Sequence, residues 1–388
     1  MLGNFTYHNP TRIHFGKKAL DFLPEELSAY GPRVLLTYGG GSIKRTGLYD
    51  RVLDLLRAAD KEVFEDPGVM PNPTVEKLYK GAALAREHDV DLILAVGGGS
   101  VVDYAKGVAA SAWCTEDPWQ KYYVRQENPD CCLIPVGTIL TMSGTGSEMN
   151  GGSVITNHAT KQKIGKVFGP ENFPKFTLLD PVLTYTVPRY QMVAGIFDVM
   201  SHLMEQYFSG TDDNTSDYLA EALMRQLVHA SRIAVHQPED YEARSNIMWT
   251  ATWALNTLTK MGKGQDWQVH MIGQSIGAYT DATHGMTLSA VSPAYYRFVA
   301  LYGLPKFVRF ARTVWDIPSD GLSDEAAAEA GIAALESWMR EIGVVMHITE
   351  LGVTPDMLEG IAAGAPSIPT AYHPLSKDDI IEILRRSM

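Results

Sequence analysis

The 388 residues are 45% hydrophobic and 20% charged, an ordinary globular composition for a chain long enough that two domains are expected. A net charge of −12 argues against nucleic acid or an anionic membrane as a general partner, so any anionic ligand has to be held by a local device. No apolar run reaches the ~18–20 residues of a bilayer span, Met1 to Pro10 lack the parts of a secretory signal, and Cys114, Cys131 and Cys132 make no disulfide framework, so a cytoplasmic location is expected.

The first half alternates strand and helix. Val34 to Tyr38 is a short apolar run that stops at Gly39-Gly40-Gly41-Ser42, and an amphipathic helix follows from Gly47 to Ala59, with Leu48, Val52, Leu55 and Leu56 on one side. Glu62 to Glu65 reads as a strand and Thr74 to His88 as a helix. Asp91 to Val96 is apolar without alternation, as in a parallel sheet covered on both faces, and it stops at Gly97-Gly98-Gly99-Ser100 before a helix to about Ser111. Cys132 to Val136 is a further expected strand, with a glycine-rich turn, Ser143 to Glu148, beyond it. The pattern predicts a parallel α/β domain over 1–188. Beyond Val187-Pro188 the texture changes to helices, expected at 189–208, 214–234, 240–260, 265–280, 289–315, 323–342, 354–364 and 376–387, which makes 189–388 a helical domain.

The first of these helices, around Gly195 to Phe208, is apolar almost all round yet carries Asp198 and His202 four residues apart, one turn above the other. A carboxylate in such a setting is costly unless a cation meets it. Taken alone, the pair reads equally as a buried Asp–His hydrogen bond. A second stretch, with His270 and His284, completes one oxygen and three nitrogens, a donor set suited to Zn²⁺ or Fe²⁺ rather than Ca²⁺ or Mg²⁺. The helix follows the domain boundary at once, which places it by expectation against a cleft between the halves. The remaining histidines lack partners at ligand spacing.

Both Gly-Gly-Gly-Ser loops end an apolar strand and open a helix, where bare backbone N–H groups and the helix N-terminus favour a phosphate. The alternative is a pair of tight turns. Gly97 to Ser100 is the better pyrophosphate candidate. Around Gly39, Gly40, Gly41 and Ser42 the loop offers Lys44 and Arg45 and no acid, which suits a 2′-phosphate and predicts NADP rather than NAD, unless the two cations simply form a solvated helix start.

With Asp103 after the second loop, Thr141 to Glu148, Leu179-Asp180-Pro181, Asp198-x-x-x-His202, His270 and His284-Gly285, nearly the whole chain resembles the iron-dependent (group III) alcohol dehydrogenases, and within them the NADPH-dependent butanol dehydrogenases and broad-range aldehyde reductases. The resemblance implies a Rossmann-like parallel-sheet domain plus an all-helical domain, the dehydroquinate synthase-like architecture. It implies Asp198, His202, His270 and His284 as ligands of one divalent metal. It also implies NADP(H) held by Gly39 to Ser42, Asn72, Gly97 to Ser100, Asp103, Thr138, Thr141, Ser147 and Lys163. The substrate would be a small aldehyde or alcohol, and the assembly a homodimer, for which the Asn4 to Tyr7 segment offers a strand edge. Where many members carry a further histidine, this chain has Gln274, which relays no proton.

Three rivals stand beside this reading. Gly273-Gln274-Ser275-Ile276-Gly277 matches a serine-hydrolase elbow, but falls inside an expected helix. Dehydroquinate synthases and glycerol phosphate dehydrogenases look similar in both halves, but their anionic substrates call for several cations. Near the proposed ligands the helical half offers mainly Lys260 and Lys263, among Trp249, Trp253, Met261 and Trp267. A metal- or nucleotide-sensing protein would bind cofactor without turning over any aldehyde.

Overall fold

The computed structural model describes residues 2–210, 213–318 and 321–388. The chain divides into two compact units, one of His8–Val187 and one of Pro188–Met388 joined by the residues before His8.

The first unit is built on a sheet whose strands, among the described residues, are β1 (Arg12–Phe15), β2 (Arg33–Tyr38), β3 (Glu62–Asp66), β4 (Leu92–Gly97), β5 (Val136–Leu140) and β8 (Phe176–Leu179), in the order β1-β8-β5-β4-β2-β3. Every pairing is parallel. The helices of this unit are α1 (Leu23–Leu27), α2 (Ser42–Arg45), α3 (Leu48–Ala58), α4 (Val75–Glu87) and α5 (Gly99–Ser111). β4 is buried at every position, which is why its sequence is apolar without alternation. The chain runs from β2 out to β3 and then returns to β4 on the other side of β2, pairing Tyr38 with Val96. That reversal is a topological switch point, and the carboxyl ends of the two strands that flank it carry the two Gly-Gly-Gly-Ser loops.

The strand expected at Cys132 to Val136 lies further on, at Val136–Leu140. Pro135 has no N–H to give a ladder, so it contributes only its carbonyl, to Ile93 N at 2.9 Å, and regular pairing starts after it. β1, β8 and an antiparallel hairpin of β6 (Gly152–Asn157) and β7 (Gln162–Val167) were not expected from the sequence. β1 and β8 have only four residues each, and β7 has a polar, half-exposed pattern, so neither shows a clear apolar period.

The second unit has no strand among the described residues. Its helices are α6 (Arg189–Tyr207), α7 (Thr215–Ala234), α8 (Tyr241–Ala254), α9 (Gln268–Thr280), α10 (His284–Val299), α11 (Leu304–Trp315), α12 (Asp324–Ile342), α13 (Leu358–Gly364) and α14 (Lys377–Arg386). Asn214, Asp240, Ser323 and Ser376 cap α7, α8, α12 and α14 through their side chains, each accepting a backbone N–H of the first turn. α6 is the centre of the unit, and every residue from Met192 to Tyr207 is buried. The single helix expected at 289–315 is two. α10 starts earlier, at His284, and the chain breaks at Ala300–Gly303 before Pro305, whose missing N–H costs nothing in the first turn of α11. Among the described residues, no helix is long and apolar enough to cross a membrane.

Candidate active site

α6 carries the organising residues at seven-residue reach. Asp198, His202 and Glu205 fall at i, i+4 and i+7, a single stripe of the helix, and all three are buried. α9 approaches this stripe through its first turn. The Asp266 carboxylate accepts Gln268 N at 2.9 Å, Asp266 N donates to Glu205 O at 2.8 Å, and His270 N donates to Glu205 Oε2 at 2.9 Å. The bonds from Gln268 N and His270 N satisfy N–H groups that the start of a helix leaves without partners. α10 begins at His284, directly before Gly285, which packs so closely on α6 that a Cβ there would lie 2.0 Å from Ala194 O.

The three helices bring the predicted ligands to one point. His202 Nε2, His270 Nε2 and His284 Nε2 lie 3.4, 3.7 and 3.7 Å from the same atom, Asp198 Oδ1. These separations are too long for hydrogen bonds. They are close to the edge of a tetrahedron with metal–ligand bonds of about 2.0–2.1 Å, which is about 3.4 Å. Among the described residues, Asp198 Oδ1 and His270 Nε2 are buried with no hydrogen-bond partner, an arrangement that is costly unless a cation completes it. One ligand atom each from Asp198, His202 and His270 lies within 4.8 Å of the others, whereas His284 stands outside that trio and joins it through Asp198. The donor set and the two orphaned atoms fit a divalent metal.

The electrostatics agree. Burial alone pushes the Asp198 carboxyl up, but His202, His270 and His284 outweigh it and hold the group well below the usual carboxylate range. Burial pushes His202 down to about 4 against the pull of Asp198, so it is neutral at pH 7, the form in which an imidazole binds metal. Burial lowers His270 as well, yet Glu205 and Asp198 on either side of the ring lift it to about 9. Two anions around one ring mark a place that favours positive charge. Trp267 closes one side, with its ring edge-on to His202 and His270 at centroid distances of 6.1 and 5.2 Å.

The predicted nucleotide residues gather in the first unit. Gly98 leads into α5, and a Cβ on Gly99 would lie 2.2 Å from Thr145 Oγ1, so only glycine lets the 141–148 turn cover the helix start. Thr141 N donates to Gly97 O at 2.9 Å and holds that turn in place. Asp103 accepts Val154 N at 3.0 Å and the Ser147 hydroxyl, with Lys106 Nζ at 3.7 Å. Burial raises its carboxyl, with Lys106, Ser147 and Lys163 opposing. Lys163 Nζ donates to Asn72 Oδ1 at 2.7 Å, which joins the β6–β7 hairpin to the loop before α4. Ser100 stands in the first turn of α5. Thr138 differs from these residues, because its hydroxyl pairs with that of Thr177 inside the sheet.

In the first loop, Gly41 sits at φ +101°, a left-handed conformation open to glycine, and a Cβ on Gly40 or Gly41 would meet nothing within 4 Å. Gly39 lies closer, with a Cβ there 3.3 Å from Val69 O, and Ser42 opens α2. Lys44 Nζ rests 4.3 Å from the Tyr49 ring centroid and 5.2 Å from that of Tyr38. Both phenols donate to Glu65 on β3, at 2.5 and 2.8 Å, and with Lys44 they hold its carboxyl below the usual range against burial. The fold thus brings to this loop an acid that the loop's own sequence lacks.

The elbow motif is resolved by its setting. Gly273 to Gly277 lies inside α9, with no strand before it, and the Ser275 hydroxyl donates to Ile361 O at 2.7 Å. Of the cations weighed for a phosphorylated substrate, Lys263 is bound to the buried Asp217 at 2.5 Å. Of the aromatics, Trp267 stands at the ligands, while Trp249 and Trp253 pair with each other at 5.4 Å. Glu205 was not anticipated as a functional residue. Its signal was present in the sequence as an acid seven residues after Asp198 in an otherwise apolar helix.

The family model for iron-containing alcohol dehydrogenases matches residues 10–181, and that for the C-terminal region of the Fe-containing alcohol dehydrogenase family matches 192–388. A probable NADH-dependent butanol dehydrogenase of Bacillus subtilis (strain 168) is 40% identical over 99% of this chain and 100% of its own length. The NADPH-dependent aldehyde reductase YqhD of Escherichia coli (strain K12) is also 40% identical, over 91% of this chain and 90% of its own. The crystal structure of an NADH-dependent butanol dehydrogenase A from Thermotoga maritima superposes with a TM-score of 0.93 at 34% identity, covering 99% of this chain and 98% of that one.

Proposed function

The chain belongs to the iron-containing alcohol dehydrogenase family, and we propose that it is a metal-dependent, NADP(H)-linked enzyme that interconverts small primary alcohols such as butanol with their aldehydes. The observation that carries this reading is the convergence of three imidazoles on the orphaned Asp198 Oδ1. In this reading Asp198, His202, His270 and His284 hold one divalent cation, Fe²⁺ or Zn²⁺, both of which accept these donors. When bound, the cation polarises a carbonyl oxygen and a nicotinamide nucleotide supplies the hydride. The chain's own part is alignment. A neutral His202 and an ionised Asp198 set the charge of the site, and Trp267 walls it from one side.

The unit of His8–Val187 is the dinucleotide domain in this reading and that of Pro188–Met388 the metal domain, so the residues before His8 fall with the metal domain rather than, as expected from sequence, with the first. Gly97 to Ser100 at the switch point receive the pyrophosphate, with Asp103, Ser147, Thr141, Asn72 and Lys163 around it and Thr138 beneath in the sheet. Gly39 to Ser42 take the adenosine end, and the support for NADP over NAD is Lys44, a cation held by two aromatic rings beside that loop, while the nearby Glu65 is taken up by the Tyr38 and Tyr49 hydroxyls. The enzyme is read as a cytoplasmic homodimer. Phe5 and Tyr7 in the N-terminal segment are exposed and available to a second copy.

NADPH oxidation with butanal, after metal stripping and add-back of Fe²⁺ or Zn²⁺, tests the reading. Turnover is expected to need the metal, to favour NADPH over NADH and to be lost in His270→Ala. Tight NADPH binding without metal-dependent turnover of any aldehyde refutes it, and equal use of NADH refutes the Lys44 argument alone.

A further inference from the structure

Glu205 is fully buried, and its carboxylate, an acceptor-only group, takes three donors. Oε1 accepts the Ser201 hydroxyl at 2.6 Å and His270 Nδ1 at 2.5 Å, and Oε2 accepts His270 N at 2.9 Å. One carboxylate therefore grips both the backbone and the ring of the same histidine. The ring's other nitrogen, Nε2, faces Asp198 Oδ1 at 3.7 Å and has no hydrogen-bond partner among the described residues. An imidazole that gives its Nδ1 proton to an acceptor presents its lone pair at Nε2, so the bond to Glu205 decides which nitrogen is free and how the ring is turned.

We propose that Glu205 is the positioning residue of the metal centre. It fixes His270 in the Nδ1-protonated tautomer with Nε2 aimed at the cation, and it locks the first turn of α9 to α6 so that ligands from two helices hold one spacing. This role rests on the reading that Asp198, His202, His270 and His284 bind a divalent metal. An amide cannot replace the carboxylate here. A glutamine can keep an oxygen on Nδ1 only by setting an N–H₂ donor against the His270 N–H, and reversing it sets that N–H₂ against the ring's Nδ1–H.

The test is Zn²⁺ affinity, measured by chelator competition on wild-type protein and Glu205→Gln, with His270→Ala alongside. Loss of an outer partner of a ligating histidine weakens metal binding by about 10–100-fold, and that loss is expected for E205Q, with a larger one for the direct ligand. The d–d spectrum of the Co²⁺-substituted protein is expected to change in E205Q, which a merely structural role would not require. ¹⁵N NMR of the wild-type zinc protein keeps the proposal testable should E205Q not fold, since His270 must be protonated at Nδ1. Equal Zn²⁺ affinity in wild type and E205Q, or a His270 protonated at Nε2, overturns the role of Glu205 and leaves the metal site standing. A wild-type protein that takes up no Zn²⁺, Fe²⁺ or Co²⁺ overturns the metal reading, and this role with it.

Discussion

Gly285→Ala is the most discriminating perturbation of this site, because it adds one carbon and removes no ligand. The new Cβ would lie 2.0, 2.6 and 3.0 Å from O, C and Cα of Ala194. All three are backbone atoms of the buried α6, so no side chain can rotate away. Ordinary contact begins at 3.4 Å, so the first turn of α10 must retreat from α6 by up to 1.4 Å. Overpacking costs about 1–3 kcal/mol, and a rigid backbone partner puts this case at the upper end. For a unit of this size that is a fall in melting temperature of roughly 6–12 °C. His284 rides on the displaced turn, whereas metal–ligand distances tolerate only about 0.2 Å. Zn²⁺ affinity is therefore expected to fall by at least about 100-fold, past the range of an outer-partner loss, while Asp198, His202 and His270 stay in place. Thermal unfolding of the metal-free protein and chelator competition read the two effects separately. A variant with wild-type melting and a Zn²⁺ affinity within threefold refutes the claim that backbone contact between α6 and α10 sets the position of His284.

Two further outcomes follow from the same kind of reasoning. In Gly99→Ala the new Cβ would meet Thr145 Oγ1, Cγ2 and Cβ at 2.2, 2.4 and 2.8 Å, forcing the 141–148 turn off the start of α5. NADPH affinity, followed by fluorescence titration, should drop by about 10–100-fold with Zn²⁺ binding unchanged, and unaltered NADPH binding would remove that turn from the cofactor site. Asp266 gives a pH signature. Burial pushes its carboxyl up to about 7 against the bonds from Tyr295 and Gln268 N. The folded chain then keeps a proton that the unfolded chain releases above about pH 4, so stability falls as pH rises from about 4 to 7 and levels off beyond. Asp266→Asn should flatten that fall in metal-free melting curves by up to roughly 1.4 kcal/mol per pH unit, and parallel curves for the two proteins would contradict the buried proton.

Asp198 and His202 were visible in the sequence because they share a helix, where a four-residue spacing is itself a distance. The glycine loops were visible because each interrupts an apolar run where a strand gives way to a helix. β4, buried on both faces, announced itself by an unbroken apolar run. β1, β8 and the β6–β7 hairpin did not, since short or half-exposed strands carry no period that sets them apart from loops. The misplaced β5 shows the same limit. Cys132 to Val136 is as apolar as a strand, and the proline that delays its pairing acts through a missing hydrogen bond to β4.

From its sequence alone the protein had a parallel α/β half and a helical half, a donor set of one carboxylate and three imidazoles, and two loops fit for phosphates. These follow from local periodicity and side-chain chemistry, which need no knowledge of neighbours distant in the chain. Tertiary structure alone decided that three Nε2 atoms surround one Asp198 oxygen, that Glu205 holds His270 from behind, and that Glu65 and Lys44 meet beside the first loop. It also paired Thr138 with Thr177 and placed Ser275 against Ile361. Each of these depends on which helix or strand packs against which, and that choice is set by burial summed over a whole unit rather than by any single stretch.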